Sequence, residues 1–157
     1  MITSIWTNPG GDASEAQALR REVFSRELGI ADYEAMEAMD GYCYHLVLVM
    51  NGEAVATGRI AYGGAGTAKL TGICVKQKYR RQGIGDGLVK VLDYKASQLG
   101  MRYSALDAEE GQVPFYRRIG YAPCGEAFTK WGRTLVPMKK ETNDGTRENC
   151  AHQCPGP

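Results

Sequence analysis

Arg80-Arg81-Gln82-Gly83-Ile84-Gly85-Asp86-Gly87 is the stretch that decides the fold of this chain. An apolar strand pattern ends before it at Val75, and the apolar face of a helix begins within it at Ile84. Glycine has no Cβ, so the backbone here can turn sharply and approach a ligand closely. The first N–H groups of the helix lack partners, and the helix dipole and two arginines add positive charge. The stretch therefore predicts a site for a phosphate or pyrophosphate group.

Three known kinds of loop have a similar glycine pattern. A dinucleotide-binding loop has a third glycine where this chain has Leu88, and it follows its strand directly, whereas Val75 lies eight residues before Gly83. A P-loop has Lys and then Ser or Thr after its last glycine, and neither is present. A glycine-rich connection without any ligand stays open as the third alternative.

The residues before the stretch predict helices and then an antiparallel meander. A short strand at residues 3–6 is followed by a helix over 14–28, with Asp12 or Ser14 as its cap and Gly29 as its end. A second short helix is expected at residues 33–39. Strands at 45–50 and 54–60 flank Asn51-Gly52, the pair that type I′ turns prefer, and a third strand covers 68–75.

The residues after the stretch predict a β-α-β unit with a further helix and hairpin. The helix ends at Gly100, a strand covers residues 103–108, and a short helix covers 113–119. The last strand pair is expected at 126–129 and 134–138. We therefore predict a single mixed α/β domain, with a mainly antiparallel sheet in which the strands ending at Val75 and Ala108 run parallel and splay apart. The domain covers residues 1–138, and 139–157 form a polar tail.

Composition limits the classes of function. The formal net charge is +1 and apolar residues make up 43%, which is typical of a globular protein and does not favour a nucleic-acid or membrane-surface partner. No secretory signal or transmembrane run is visible, and the five scattered cysteines indicate reduced thiols, so we expect a cytoplasmic protein. The tail segment Cys150-Ala151-His152-Gln153-Cys154 lacks a second ligand pair, so no metal is expected.

Two separated motifs resemble a known family. Val75-x4-Arg80-x-x-Gly83-x-Gly85-x-x-Leu88 resembles the acetyl-CoA motif of the GNAT superfamily of N-acetyltransferases. Phe115-Tyr116-Arg117-Arg118-Ile119-Gly120-Tyr121 is similar to the second signature of that superfamily. The order of several further residues resembles the bacterial ElaA-type subgroup: Leu19-Arg20-x-x-Val23-Phe24-x-x-Glu27, Glu37-x-x-Asp40, His45 and Gly58-Arg59.

The resemblance implies acetyl-CoA as co-substrate and an acetyl transfer to an amine. The loop backbone would hold the pyrophosphate, the strand ending at Val75 would pair with pantetheine, and an N–H near Val75 would face the thioester carbonyl. Tyr116 would return a proton to the departing thiolate. The cofactor-binding residues implied are Ile73, Cys74, Val75, Arg80, Arg81, Gln82, Gly83, Ile84, Gly85, Asp86 and Tyr116.

Glu109 departs from the family pattern. Many relatives carry Asn or Gln seven residues before the motif tyrosine, whereas an ionised glutamate only accepts hydrogen bonds. Glu109 is therefore expected either to accept from a pantetheine N–H or to face the acceptor amine as a catalytic group, since an ammonium must lose its proton before it attacks. An ordered water chain is the alternative base.

Several residues have a structural as well as a functional interpretation. His45 is expected to be structural rather than catalytic, and Cys74 to pack in the interior. Ion pairs would equally explain Arg20, Glu27, Glu37, Asp40 and Arg59. A non-catalytic acyl-CoA-binding module and an unrelated nucleotide-phosphate binder remain the alternatives to an enzyme. The expected partners are a small-molecule, peptide or lysine amine and, as an open alternative, a second copy of the chain.

Overall fold

One eight-stranded sheet forms the frame of the protein, in a computed structural model that describes residues 1–31 and 37–142. The strands before the central helix are β1 (Ile2–Thr7), β2 (Tyr44–Met50), β3 (Glu53–Tyr62) and β4 (Thr67–Val75). Those after it are β5 (Tyr103–Glu109), β6 (Ala122–Pro123), β7 (Phe128–Lys130) and β8 (Arg133–Glu141). Their spatial order is β1-β2-β3-β4-β5-β8-β6, with β7 also paired to β8.

The helices are α1 (Ser14–Arg20), α2 (Ile84–Gln98) and α3 (Val113–Arg118). A π-helical segment, Arg21–Glu27, continues α1, so the helix predicted over 14–28 has two helical forms. Neither Asp12 nor Ser14 is the cap residue: Ala13 takes that position without a side-chain hydrogen bond, and the Asp12 carboxylate accepts from the Ser14 N–H at 3.0 Å. Most of the helix predicted at 33–39 lies outside the described residues, and a 3₁₀ turn follows at Glu37–Tyr42.

The first hairpin confirms the turn prediction. Asn51 and Gly52 have φ of 53° and 77°, and Met50 pairs with Glu53 across the turn. Positive φ at both turn residues is what a type I′ turn requires, and Asn and Gly accept it most readily. The three strands β2, β3 and β4 are antiparallel as predicted.

The parallel pair is short and then opens. β4 and β5 pair only from Thr67↔Tyr103 to Lys69↔Ala105. Beyond this point the register between β3 and β4 shifts, and Gly72 adopts a φ of 61° within β4, as a β-bulge requires. The bulge bends β4 away from β5, because an extra residue on one strand locally increases its twist and curvature. The predicted mixed fold with a splayed parallel pair is therefore confirmed.

Helix α2 joins the two parallel strands and buries its apolar face on the sheet. Leu88, Val89 and Leu92 are fully buried in the main core. The close approach depends on Gly58, since a Cβ there would lie 2.6 Å from Leu92 Cδ1. Gly100, with φ of 81°, follows the end of the helix as predicted.

The C-terminal strand is longer than expected. β8 runs to Glu141, three residues beyond the predicted domain end at Met138, because Glu141 still pairs with Tyr103. Residues 143–157, with the cysteine-containing tail segment, lie outside the described residues. Within 1–31 and 37–142, no helix is long and apolar enough to cross a membrane.

Candidate active site

A cavity of about 480 Å³ lies between the splayed ends of β4 and β5. β4 lines it from Leu70 to Val75, and β5 lines it from Leu106 to Glu109. The π-helical segment and the hairpin between β7 and β8 supply further walls, and Tyr116 of α3 contributes its ring. The structure thus brings six of the predicted site residues to one cavity: Ile73, Cys74, Val75, Arg80, Glu109 and Tyr116.

The cavity-side edge of β4 is open for an extended ligand. From Leu70 onwards β4 has no strand partner on the β5 side. The N–H of Lys76 donates to the Val55 carbonyl of β3 at 2.9 Å. Because successive residues of a strand direct their peptide groups to alternate sides, the N–H and C=O of Val75 face the cleft. This is the arrangement that strand addition uses.

Arg80 uses its guanidinium within the protein. Its Nη1 and Nη2 donate to the two carboxylate oxygens of Glu27 at 2.6 and 2.8 Å, and its Nε donates to the Val75 carbonyl at 2.9 Å. Hydrogen bonding to Glu27 raises the pKa of Arg80 further above its usual value. The positive charge that the sequence assigns to a phosphate is therefore already paired with a carboxylate.

The glycine stretch forms a loop that leads into α2. Gly83 has φ of 79° and nothing lies within 4 Å of the position its Cβ would take. Gly87 donates the first helical bond, to the Gly83 carbonyl at 3.2 Å, so the N–H groups of residues 84–86 have no acceptor within the helix. The side chain of Ile84 is buried, so only its backbone can contact a ligand. The loop therefore offers an anion site made of backbone.

Tyr116 is the residue of α3 that lines the cavity. Its ring packs edge-on against Phe115 and Tyr121, with centroids 5.0 and 5.8 Å away. No described residue forms a hydrogen bond with the hydroxyl. Burial, with a smaller effect from the charge of Glu109, raises the pKa of Tyr116 to about 12. The phenol therefore stays protonated at neutral pH, as a proton donor must.

The two carboxylates of β5 that line the cavity are both paired. Glu109 forms an ion pair with Arg133 of β8, and Asp107 binds Lys69 Nζ at 3.0 Å. Gln112, three residues after Glu109, also lines the cavity. An amide that donates and accepts is thus present, although not at the position where the family pattern has it.

Cys74 lies in the cavity wall with its thiol among apolar neighbours. It packs with Leu19 and Val23 of the α1 region. Burial raises the pKa of Cys74 to about 12, so the thiol stays protonated and is a poor nucleophile. This favours the packing interpretation.

His45 of β2 belongs to a buried polar cluster with Arg20 and Asp40. Its Nδ1 lies 3.0 Å from Arg20 Nη2, and its Nε2 lies 2.9 Å from the Asp40 carbonyl oxygen. A guanidinium only donates, so Nδ1 must accept and Nε2 must carry the proton. Burial lowers the pKa of His45, and the ring is therefore neutral. Asp40 also binds Arg59, so this cluster is structural, as one of the two interpretations expects.

The sequence analysis did not predict that the hairpin between β7 and β8 lines the cavity. Trp131, from the two-residue turn between β7 and β8, lines it together with the flanking strand residues Lys130 and Arg133. A Trp-Gly pair is not a usual turn signal, so only the spacing of the flanking strands could have indicated it. Across residues 1–31 and 37–142, no group of three or more His, Cys, Asp or Glu side chains is placed to hold a metal.

Comparison with known proteins agrees with this geometry. The family model for the acetyltransferase (GNAT) domain matches residues 12–142. The Bacillus subtilis (strain 168) protein YjcF, described as an uncharacterized N-acetyltransferase, is 30% identical over 128 residues, which are 81% of this chain and 91% of YjcF.

Two solved structures share the fold. Escherichia coli ElaA superposes with a TM-score of 0.78 at 20% identity, covering 90% of this chain and 100% of ElaA. A GNAT acetyltransferase from Elizabethkingia anophelis, solved with acetyl-CoA bound, gives 0.69 at 18% identity over 89% of this chain and 97% of its own. This chain belongs to the GNAT acetyltransferase family and is an acyltransferase.

Proposed function

We propose that the protein transfers an acetyl group from acetyl-CoA to a primary amine, by direct attack in a ternary complex. The observation that carries this proposal is the cleft itself. Tyr116 and Val75 line the same cavity, next to the part of β4 that has no strand partner on the β5 side. The Tyr116 hydroxyl has no hydrogen-bond partner among the described residues, and the Val75 N–H points away from β3. They supply three of the groups that thioester aminolysis uses, a proton donor, an oxyanion donor and a support for the thioester arm, and the fourth is a base.

The residues present fit acetyl-CoA as the co-substrate. The unpaired N–H groups of residues 84–86 would hold the pyrophosphate, and the space above Gly83 leaves room for it. The edge of β4 from Ile73 to Val75 would pair with the pantetheine amides. Acetyl-CoA supplies the thioester carbon on which the amine acts.

The roles of the side chains follow from their contacts. The Val75 N–H would stabilise the oxyanion, and Tyr116 would give its proton to the departing thiolate. Glu109, held in the cavity by Arg133, would take the proton that the amine loses, directly or through water. The protons balance, since the nitrogen loses one and the sulfur gains one, and the phenol is reprotonated from solvent.

The test combines binding and turnover. Saturating acetyl-CoA should raise the Tm, while NADH at the same concentration should not, because only a ligand of the native state stabilises it. Thiol release over a panel of amines should follow, with initial rates that intersect rather than run parallel when both substrates are varied. A thermal shift without thiol release for any amine would favour the alternative, an acyl-CoA-binding module.

A further inference from the structure

Trp131 has a backbone conformation that tryptophan rarely adopts. It forms, with Gly132, the two-residue turn between β7 and β8, and the two residues have φ of 55° and 70°. Lys130 pairs with Arg133 across the turn. Positive φ at both residues is the type I′ pattern, which is unfavourable for a bulky side chain at the first position.

A second hairpin of the same chain has the same kind of turn with a residue that suits it. The hairpin between β2 and β3 has the same two-residue length and nearly the same φ values, 53° and 77°, with Asn51 in the position that Trp131 takes. Asparagine tolerates this conformation far better than an aromatic residue does. The turn alone therefore does not account for tryptophan, and the side chain must have another use.

The indole lines the active-site cavity. Lys130 Nζ lies 4.5 Å from its ring centroid and so places a cation over the indole. Apolar side chains line the same cavity: Phe24, Leu28, Ile30 and Leu135. An acceptor near the indole would therefore meet an aromatic surface that already carries a cation, and apolar walls.

The carboxylates of the cavity are already neutralised. Glu27, Asp107 and Glu109 line it, and each has a cationic partner: Arg80, Lys69 and Arg133. Among the lining residues in the described part of the chain, none supplies an unpaired carboxylate for a second ammonium group. Lys130 adds a further positive charge at the turn. Among the described lining residues, a polycation would meet no unpaired carboxylate.

We propose that Trp131 is the residue that recognises the acceptor, and that the acceptor is a primary amine carried on an apolar or aromatic body. Polyamines and lysines of basic peptides are disfavoured substrates. This inference rests on the proposed function and specifies its substrate class. The indole packs against the body of the acceptor, and this contact explains why a tryptophan occupies a turn position where its positive φ is unfavourable.

The test uses the asparagine of the other hairpin. Trp131→Asn should keep the Tm or raise it by up to about 4 °C, because it relieves the turn. It should lower kcat/KM for phenethylamine by ~10–100-fold and leave the Kd of acetyl-CoA unchanged. Trp131→Phe should recover part of kcat/KM. The reciprocal control, Asn51→Trp, lies in the other hairpin and should lower the Tm without changing kcat/KM.

Each other result overturns part of the inference. A lower Tm of Trp131→Asn with unchanged kcat/KM would make Trp131 a packing residue. A higher kcat/KM of the wild type for spermidine or a lysine peptide than for phenethylamine and hexylamine would exclude the substrate class, while the proposed function stands. Absence of thiol release with every amine would overturn both.

Discussion

Arg80 and Glu27, 53 residues apart in the chain, form a bidentate ion pair beside the cavity. The Nε of the same guanidinium donates to the Val75 carbonyl at the end of β4. One side chain thus connects the π-helical segment, the end of β4 and the start of the glycine loop. Because bidentate pairing fixes the plane of a guanidinium, Glu27 determines where Arg80 Nε points.

Glu27→Gln should therefore resemble Arg80→Ala in its effect on the reaction. We expect both to lower kcat by ~3–30-fold, and the double variant to lose no more than Arg80→Ala alone, since coupled residues are not additive. The measurement is a double-mutant cycle on kcat and on the Kd of acetyl-CoA. If Arg80 instead binds the pyrophosphate, Arg80→Ala weakens acetyl-CoA while Glu27→Gln releases the guanidinium and does not.

Tyr116→Phe should remove the proton donor and keep the ring. We expect kcat to fall by ~10–10³-fold with little change in the Kd of acetyl-CoA. The raised pKa, about 12, means that the wild-type phenol is protonated up to about pH 11, so it contributes no alkaline limb near pH 10. An unperturbed phenol would have placed the limb there.

Tyr121→Phe is the matched control for Tyr116. Its hydroxyl donates to Asp93 at 2.5 Å, and the residue is buried in the core rather than in the cavity wall. Loss of this bond should lower the Tm because Asp93 loses a buried donor, while kcat of the folded enzyme is retained. Equal losses of kcat in the two variants would contradict the assignment of Tyr116.

Gly83→Ala should weaken acetyl-CoA binding, and the loss of binding free energy should exceed the loss of folding free energy. Apart from its chain neighbours, no described residue lies within 4 Å of a Cβ there, so the folding cost, about 1 kcal/mol, comes from the positive φ. Gly52→Ala has nearly the same φ and equally open surroundings, in the hairpin between β2 and β3. Both variants should lose similar Tm, and only Gly83→Ala should raise the Kd of acetyl-CoA.

His45→Gln tests the neutral histidine. Burial lowers the pKa of His45 in the folded state, so the unfolded chain binds the extra proton more readily. The contribution of neutral His45 to the free energy of unfolding is present above about pH 6.5 and is lost as the pH falls through the folded pKa. Glutamine can keep both hydrogen bonds and does not titrate. The Tm of the variant should therefore fall less than that of the wild type between pH 7 and pH 5.

Local chemistry was sufficient to predict much of the fold. Asn51-Gly52 encodes its turn through φ, and the apolar face from Ile84 encodes α2 through its period. The π-helical form of Arg21–Glu27 was not predictable in this way, because a one-residue widening leaves the apolar spacing almost unchanged. The extension of β8 to Glu141 depends on pairing with Tyr103, a contact that only the tertiary structure supplies.

The same distinction applies to the site. Motif residues such as Tyr116 and Val75 were predicted because their spacing is local, and they do line the cavity. The pairing of Arg80 with Glu27 and the position of Trp131 were missed, since both depend on elements that are distant in sequence. Their roles in catalysis and binding remain predictions for the experiments above.

The short parallel ladder between β4 and β5 also affects how easily the two halves of the sheet move relative to each other. Three residue pairs, Thr67↔Tyr103 to Lys69↔Ala105, join the two halves of the sheet, and the adjacent Gly66 carbonyl accepts from the N–H groups of Arg102 and Tyr103. Helix α2 spans the same junction. A small rotation of one half against the other breaks few hydrogen bonds, so we expect the width of the cleft to change at low cost. Amide protons along this seam should therefore exchange with solvent earlier than those within either half.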